Sequence, residues 1–292
     1  MKKLLVSLIK AALYTASFLI IQVAATLGLT LITSLVSGVL FFSMGIYDPG
    51  YLLTDNLLSI VTVVSCALTL LFFLIFFGVR GKKFSREVRW HKLASPGYAM
   101  LGPLECGFGL SLLSSFALAM IPFPDAWYAA YDETMELMLT GNPLFLAAAT
   151  VLAAPIVEEV VFRGLVYTRL CRGMKRWLAA ILSAVIFGLV HGTLLHLVYT
   201  VPMGLLLCFF YDKYRSLWAP IVLHMSFNLA GTVLEYYAWA PDSVYLVLIA
   251  IGLFLTVVGL LSLRQYRRDT GLYQPRVKAP KPISDPSDIV KT

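Results

Sequence analysis

The chain has 292 residues, 59% of them hydrophobic and 13% charged, and a mean hydropathy of +0.82, values that exclude a soluble globular fold. The formal charge of +7 does not indicate nucleic acid, because the cations sit in short blocks between apolar runs. The expected fold is an all-α polytopic membrane bundle of about eight transmembrane helices, with no separate soluble domain.

In chain order, the first apolar region follows Met1-Lys2-Lys3 and continues to about Phe42, interrupted by Lys10 and lacking a small-residue cleavage site. It reads as a retained first span rather than a signal peptide. Candidate spans are 11–43, 57–79, 98–122, 144–168, 177–199, 200–211, 217–234 and 243–263, the sixth being too short to cross without help from its neighbour.

With a cytoplasmic N-terminus, the inner segments 1–10, 80–97, 169–176, 212–216 and 264–292 hold every Lys and Arg except Arg163. The outer segments 44–56, 123–143 and 235–242 hold none and carry Asp48, Asp55, Asp125, Asp132, Glu133, Glu136, Glu235 and Asp242. The positive-inside rule then places the chain in the cell membrane, multi-pass, with both termini cytoplasmic. Arg80, Lys82, Lys83, Arg86, Arg89 and Lys92 read as this topology signal, with contact to anionic lipid as the alternative, and the lipid bilayer is an expected partner of the protein. Tyr47, Tyr51, Trp127, Tyr128, Tyr131, Trp177, Tyr199, Trp218, Tyr236, Tyr237 and Trp239 fall at span ends as interfacial anchors.

Segment 123–143 is expected as a solvated acidic loop, with a short amphipathic helix on the outer face as the alternative. The tail from Thr270, with Pro275, Pro280, Pro282 and Pro286, reads as flexible. The chain thus divides into N-terminal helices (1–143), a core (144–240), a last helix (241–268) and a cytoplasmic tail (269–292). Cys66, Cys106, Cys171 and Cys208 show no CxxC spacing and read as small packed hydrophobes.

Polar residues able to do chemistry inside the spans are few and concentrated in the core. Glu158, Glu159 and Arg163 share the fourth span, His191 and His196 the fifth, and His224 and Asn228 the seventh. Charge at such depth is expensive, so function is the default reading. Adjacent helical residues diverge by roughly 100°, so Glu159, one turn from Arg163, is pairable while Glu158 is left free. His224 and Asn228 share a helix face, whereas His191 and His196, five apart, are about 140° out of register, so at most one of them readily faces the same cavity.

At about 1.5 Å per residue, Glu158 lies about 15 Å from the cytoplasmic end of its span, His191 about 21 Å, His224 about 10 Å and Asn228 about 16 Å. Three helices therefore deliver polar groups to one layer. A carboxylate beside histidines suits hydrolysis of an acyl bond, with Glu158 as general base on water and histidine and amide donors for the oxyanion. Binding of a divalent metal such as zinc by Glu158, His191 and His224 is the alternative, so the cofactor is either absent or a divalent metal. Plain structural accounts exist too: a buried ion pair for the acids and Arg163, and interhelical hydrogen bonding for His196. Glu105 reads as paired with a neighbouring helix or as cavity-lining.

The ordered set Glu158-Glu159-Val160-Val161-Phe162-Arg163, Phe187-Gly188-Leu189-Val190-His191 and His224-Met225-Ser226-Phe227-Asn228 resembles the CPBP (CAAX-protease and bacteriocin-processing, or Abi) family of intramembrane proteases over about 145–235. The resemblance implies an eight-helix membrane endopeptidase in which Glu158 activates water and His191 is its catalytic partner. It further implies that His224 with Asn228 stabilises the oxyanion, while Glu159 and Arg163 support the cavity. It leaves His196 without a role and the metal requirement open. Its substrates would be membrane-associated proteins or peptides: prenylated CAAX proteins in eukaryotes, bacteriocin maturation or self-immunity in bacteria. This compact chain is similar to the bacterial members. The competing functions are a transporter with an intramembrane Glu/His relay and a non-catalytic bacteriocin-immunity protein.

Overall fold

The computed structural model describes residues 2–44, 55–90, 98–236 and 242–271. Tyr47, Asp48, Tyr51, Lys92, Tyr237, Trp239 and nearly all of the expected tail, from residue 272 on, lie outside them.

Every long apolar run becomes helix, and no strand occurs among the described residues. The principal elements are α1 (Lys2–Met44), α2 (Leu57–Val79), α3 (Leu101–Met120), α4 (Asp125–Leu139), the composite helix α5 (Pro143–Leu170), α6 (Arg176–Leu189), α7 (Leu194–Tyr214), α8 (Trp218–Tyr236) and α9 (Asp242–Asp269). Six of them, α1, α2, α3, α5, α7 and α9, are long and apolar enough to cross a membrane. Of the remaining two expected spans, α6 has 14 residues, and α8, at 19, carries His224, Asn228 and Glu235 among its apolar positions.

Two expectations require correction. Segment 123–143 is not an irregular loop: Pro124 precedes a helix with Asp125 in its first turn, and the Tyr128 hydroxyl lies 3.1 and 2.8 Å from the Leu118 and Ile121 carbonyls at the end of α3. Tyr131, Thr134, Met135 and Met138 turn inward at helical spacing while Asp132, Glu133 and Glu136 are exposed, so the helix is amphipathic. The fifth span also ends earlier than residue 199. Gly192 adopts φ +87°, and Thr193 caps α7 by accepting the His196 backbone N–H at 3.2 Å. His196 therefore belongs to α7, and His191 sits in the turn before it.

α1 contributes one stripe to the core. Ala11, Tyr14, Phe18 and Ala25 are buried, with Phe18 edge-on to Phe162 at 5.7 Å, while Leu5, Ile20, Leu27 and Leu31 remain exposed. Outward apolar surface of this kind suits a lipid environment. Asn56 Oδ1 accepts the Asn142 N–H at 2.7 Å, joining the start of α2 to the start of α5, and the Asn142 side chain caps Leu144 N–H at 2.8 Å. At the basic end, Arg89 and Arg176 approach Asp212 at 3.9 and 3.5 Å, and the Tyr167 hydroxyl donates to Asp212 at 2.6 Å. Glu105 is held by Ser262 Oγ at 3.0 Å, the paired outcome of its two readings, and is not among the residues lining the cavity described below.

α3 and α9 approach backbone to backbone. A methyl carbon at Gly109 would lie 2.6 Å from the Gly252 carbonyl, and one at Gly259 would lie 2.7 Å from the Gly102 carbonyl. Small residues permit this close packing where no hydrophobic drive separates protein from lipid. Gly109→Leu is expected to cost about 1–3 kcal/mol through overpacking, whereas Gly28→Leu, with nothing within 4 Å, should be neutral. Thermal unfolding in detergent distinguishes the two.

Candidate active site

α5 is not a uniform helix. It changes from α to π geometry over Ala148–Ala153, returns to α over Ala154–Glu158, then widens again over Glu159–Tyr167. Pro155 removes a backbone donor from the short α turn between the two wide stretches. Wide turns of this sort concentrate at functional sites because they re-aim side chains.

Glu159 and Arg163 are both 0% exposed and form an ion pair at 2.9 Å, as their spacing predicts. Arg163 Nη2 also donates to the Gly204 carbonyl of α7 at 3.3 Å, and the guanidinium lies 4.2 Å from the centre of the Phe187 ring of α6. Glu159 Oε1 additionally accepts from His224 Nδ1 of α8 at 2.9 Å. One carboxylate oxygen thus ties α5 to α8, while Glu159 Oε2 and Arg163 Nε have no hydrogen-bond partner among the described residues.

Glu158 Oε2 lies 3.8 Å from His224 Nε2, beyond hydrogen-bond length, and Glu158 makes no closer polar contact among the described residues. The two glutamates therefore bracket one imidazole. Spacing along α5 alone gives no sign of this, since the bracketing partner comes from a helix more than 60 residues away.

His191 Nδ1 lies 2.7 Å from the Phe187 carbonyl. A carbonyl can only accept, so this nitrogen carries the proton and Nε2 carries the lone pair. Phe187 stands edge-on to His191 at 4.7 Å and to His224 at 5.8 Å, making it a packing centre for both histidines and Arg163. Its part was not evident beyond its place one turn before His191. Asn228 Nδ2 donates to the Thr150 carbonyl in the first wide turn of α5 at 2.8 Å.

These groups line one cavity of about 400 Å³. Glu158, His191, His224 and Asn228 all contribute to its wall, as do His196 and the inward face of α4. The expectation that at most one of His191 and His196 faces the cavity is corrected, because the turn at Gly192 removes the helical register between them. Along α8, His224, Asn228, Gly231, Thr232 and Glu235 face the cavity on successive turns, so it extends about 16 Å along that helix.

A family model described as type II CAAX prenyl endopeptidase Rce1-like matches residues 140–230. A relative from Bacillus subtilis (strain 168) named "Putative membrane peptidase YdiL" is 25% identical over 192 residues, covering 64% of this chain and 75% of its own. Both similarities support a membrane protease of the CPBP type. No solved structure matches it. The matched region runs from just before α5 to the middle of α8 and contains Glu158, Glu159, Arg163, His191, His224 and Asn228.

Among the described residues no group of three or more His, Cys, Asp or Glu side chains could hold a metal ion. Glu158, His191 and His224 share a wall of the cavity without forming a ligand set.

Arg163→Ala is expected to destabilise the protein by about 3–5 kcal/mol, because Glu159 would keep its charge with no cation beside it. The double variant Glu159→Gln/Arg163→Met should recover part of the loss in the same thermal unfolding measurement.

Proposed function

We propose that this membrane protease hydrolyses a peptide bond of a membrane-associated protein or peptide by acid–base chemistry, with Glu158 activating water. The observation that carries this reading is the division of labour between adjacent acids. Glu159 is neutralised by Arg163, while Glu158 makes no ion pair with a Lys or Arg among the described residues and lines the cavity with His191, His224 and Asn228.

Water attacks the scissile carbonyl carbon, its proton passes to Glu158, and the leaving amine is later protonated by the same carboxyl group. His191, with its lone pair on Nε2 fixed by the Phe187 carbonyl, orients the water as a hydrogen-bond acceptor. The developing oxyanion is met by the second N–H of Asn228, beside which His224 turns its Nε2 edge to the cavity. Glu159 holds His224 in place through Nδ1, much as a buried carboxylate orients an imidazole in other hydrolases.

The basic blocks favour a topology with both termini in the cytoplasm and α4 on the outer face. A role in bacteriocin maturation or self-immunity accords with the family resemblance and would make the substrate a short membrane-active peptide.

Glu158→Gln, His191→Ala and His224→Ala are each expected to lower cleavage by about 10²–10⁴-fold while the protein still inserts. The check compares membrane-proteome termini from cells expressing the native chain and its Glu158→Gln variant at equal abundance. Peptide ends that need the carboxylate support the reading; identical termini would overturn it.

A further inference from the structure

His196 is absorbed neither by the family motifs nor by the mechanism above, yet it stands in the cavity wall at 6% exposure. Its surroundings are specific. The ring lies 6.3 Å from the His191 ring at 30°, 4.8 Å from Tyr131 of α4 and 5.6 Å from Tyr199 of α7. Its Nδ1 is 2.6 Å from Thr193 Oγ1, and the same oxygen accepts the His196 backbone N–H at 3.2 Å.

This geometry selects a tautomer. The Thr193 oxygen already accepts one hydrogen bond, and its own proton has no other acceptor among the described residues, so the hydroxyl donates to Nδ1. The ring proton must then sit on Nε2. That nitrogen has no hydrogen-bond partner among the described residues, and the ring lines the cavity. His191 is set the opposite way by the Phe187 carbonyl, with its proton on Nδ1 and its lone pair on Nε2. Two near-parallel imidazoles thus offer one acceptor and one donor side by side.

Interhelical bonding does not account for His196, since its hydrogen bond closes on the cap of its own helix. The donors otherwise offered for the oxyanion are partly committed, His224 Nδ1 to Glu159 and one Asn228 N–H to the Thr150 carbonyl. An N–H on the cavity wall without a protein acceptor is suited to a substrate carbonyl.

We infer that His196 is a substrate-positioning residue of this protease, its Nε2–H donating to a carbonyl oxygen of the bound peptide beside the one attacked under His191. The role rests on the acid–base reading above and adds to it a donor outside the matched motifs. Thr193 acts through His196 by fixing its tautomer, and Tyr131 of the amphipathic helix fixes the plane of the ring.

The test uses the purified full chain and a synthetic single-span peptide carrying the most strongly Glu158-dependent cleavage sequence from the terminus comparison. His196→Ala should lower kcat/KM on the order of 100-fold, the size typical of one lost donor, without lowering the thermal midpoint. His196→Gln, whose amide nitrogen can reach the place of Nε2, should regain about tenfold of that loss. Thr193→Val should lie between the two, because it frees the tautomer without removing the ring.

Unchanged kcat/KM in His196→Ala overturns the inference, as does a loss that His196→Gln does not relieve and that tracks a fall in thermal midpoint. Failure of the native chain to cleave, with His196 intact, would instead sink the protease mechanism on which the inference rests.

Discussion

A charged pair sealed inside an apolar bundle sets the terms for the rest of this molecule. Burying an isolated carboxylate or guanidinium would cost tens of kcal/mol by simple solvation arguments, so Glu159 and Arg163 persist only because each meets the other and further polar groups. Those further groups come from different helices: Gly204 of α7 gives a carbonyl, Phe187 of α6 a ring face, and His224 of α8 an N–H. Satisfying two charges therefore fixes four helices relative to one another, and the walls of the cavity follow.

The two wide turns of α5 complete the arrangement. Where the second of them begins, neighbouring acids reach opposite edges of one imidazole, Glu159 to Nδ1 and Glu158 towards Nε2. The first wide turn also leaves the Thr150 carbonyl free to accept from Asn228. Irregular backbone at membrane depth is tolerated where it is buried in protein or lines a polar cavity, and both conditions hold here.

Proton positions around the cavity are dictated by backbone and hydroxyl partners rather than by the histidines themselves. Phe187 supplies a carbonyl to His191, Glu159 a carboxylate to His224, and Thr193 a hydroxyl to His196. Three imidazoles in one cavity are thereby given different jobs. On the far side, α3 inserts Gly107 against Ser226 and the Leu223 backbone of α8, so the helix bearing His224 and Asn228 is braced from behind as well as from α5. Exposed leucines, valines and isoleucines cover the outer faces, where lipid takes the place of a second protein layer.

Periodicity and charge placement carried a good deal of this. The apolar runs gave the helices, six of them long and apolar enough to cross a membrane, the i,i+4 relation gave the Glu159–Arg163 pair, and the ordered polar motifs gave Glu158, His191, His224 and Asn228, which share one cavity. Local signals for the two misread elements were present: Pro124-Asp125 at the start of α4, and Gly192-Thr193 between α6 and α7, where a left-handed glycine and a capping hydroxyl end one helix and begin the next. Acidic composition outweighed the first, and hydropathy the second, because the run through 177–211 is apolar on both sides of the break. Other features were beyond any reading along the chain. The bracketing of His224 by two glutamates, the capture of Asn228 by Thr150, the ring of Phe187 under Arg163 and the entry of His196 into the cavity are contacts between helices far apart in sequence. Residue type and spacing fixed which groups had to find partners inside the membrane; only packing in three dimensions decided which partners they found, because a buried charge or N–H is satisfied by whatever its neighbours bring within reach.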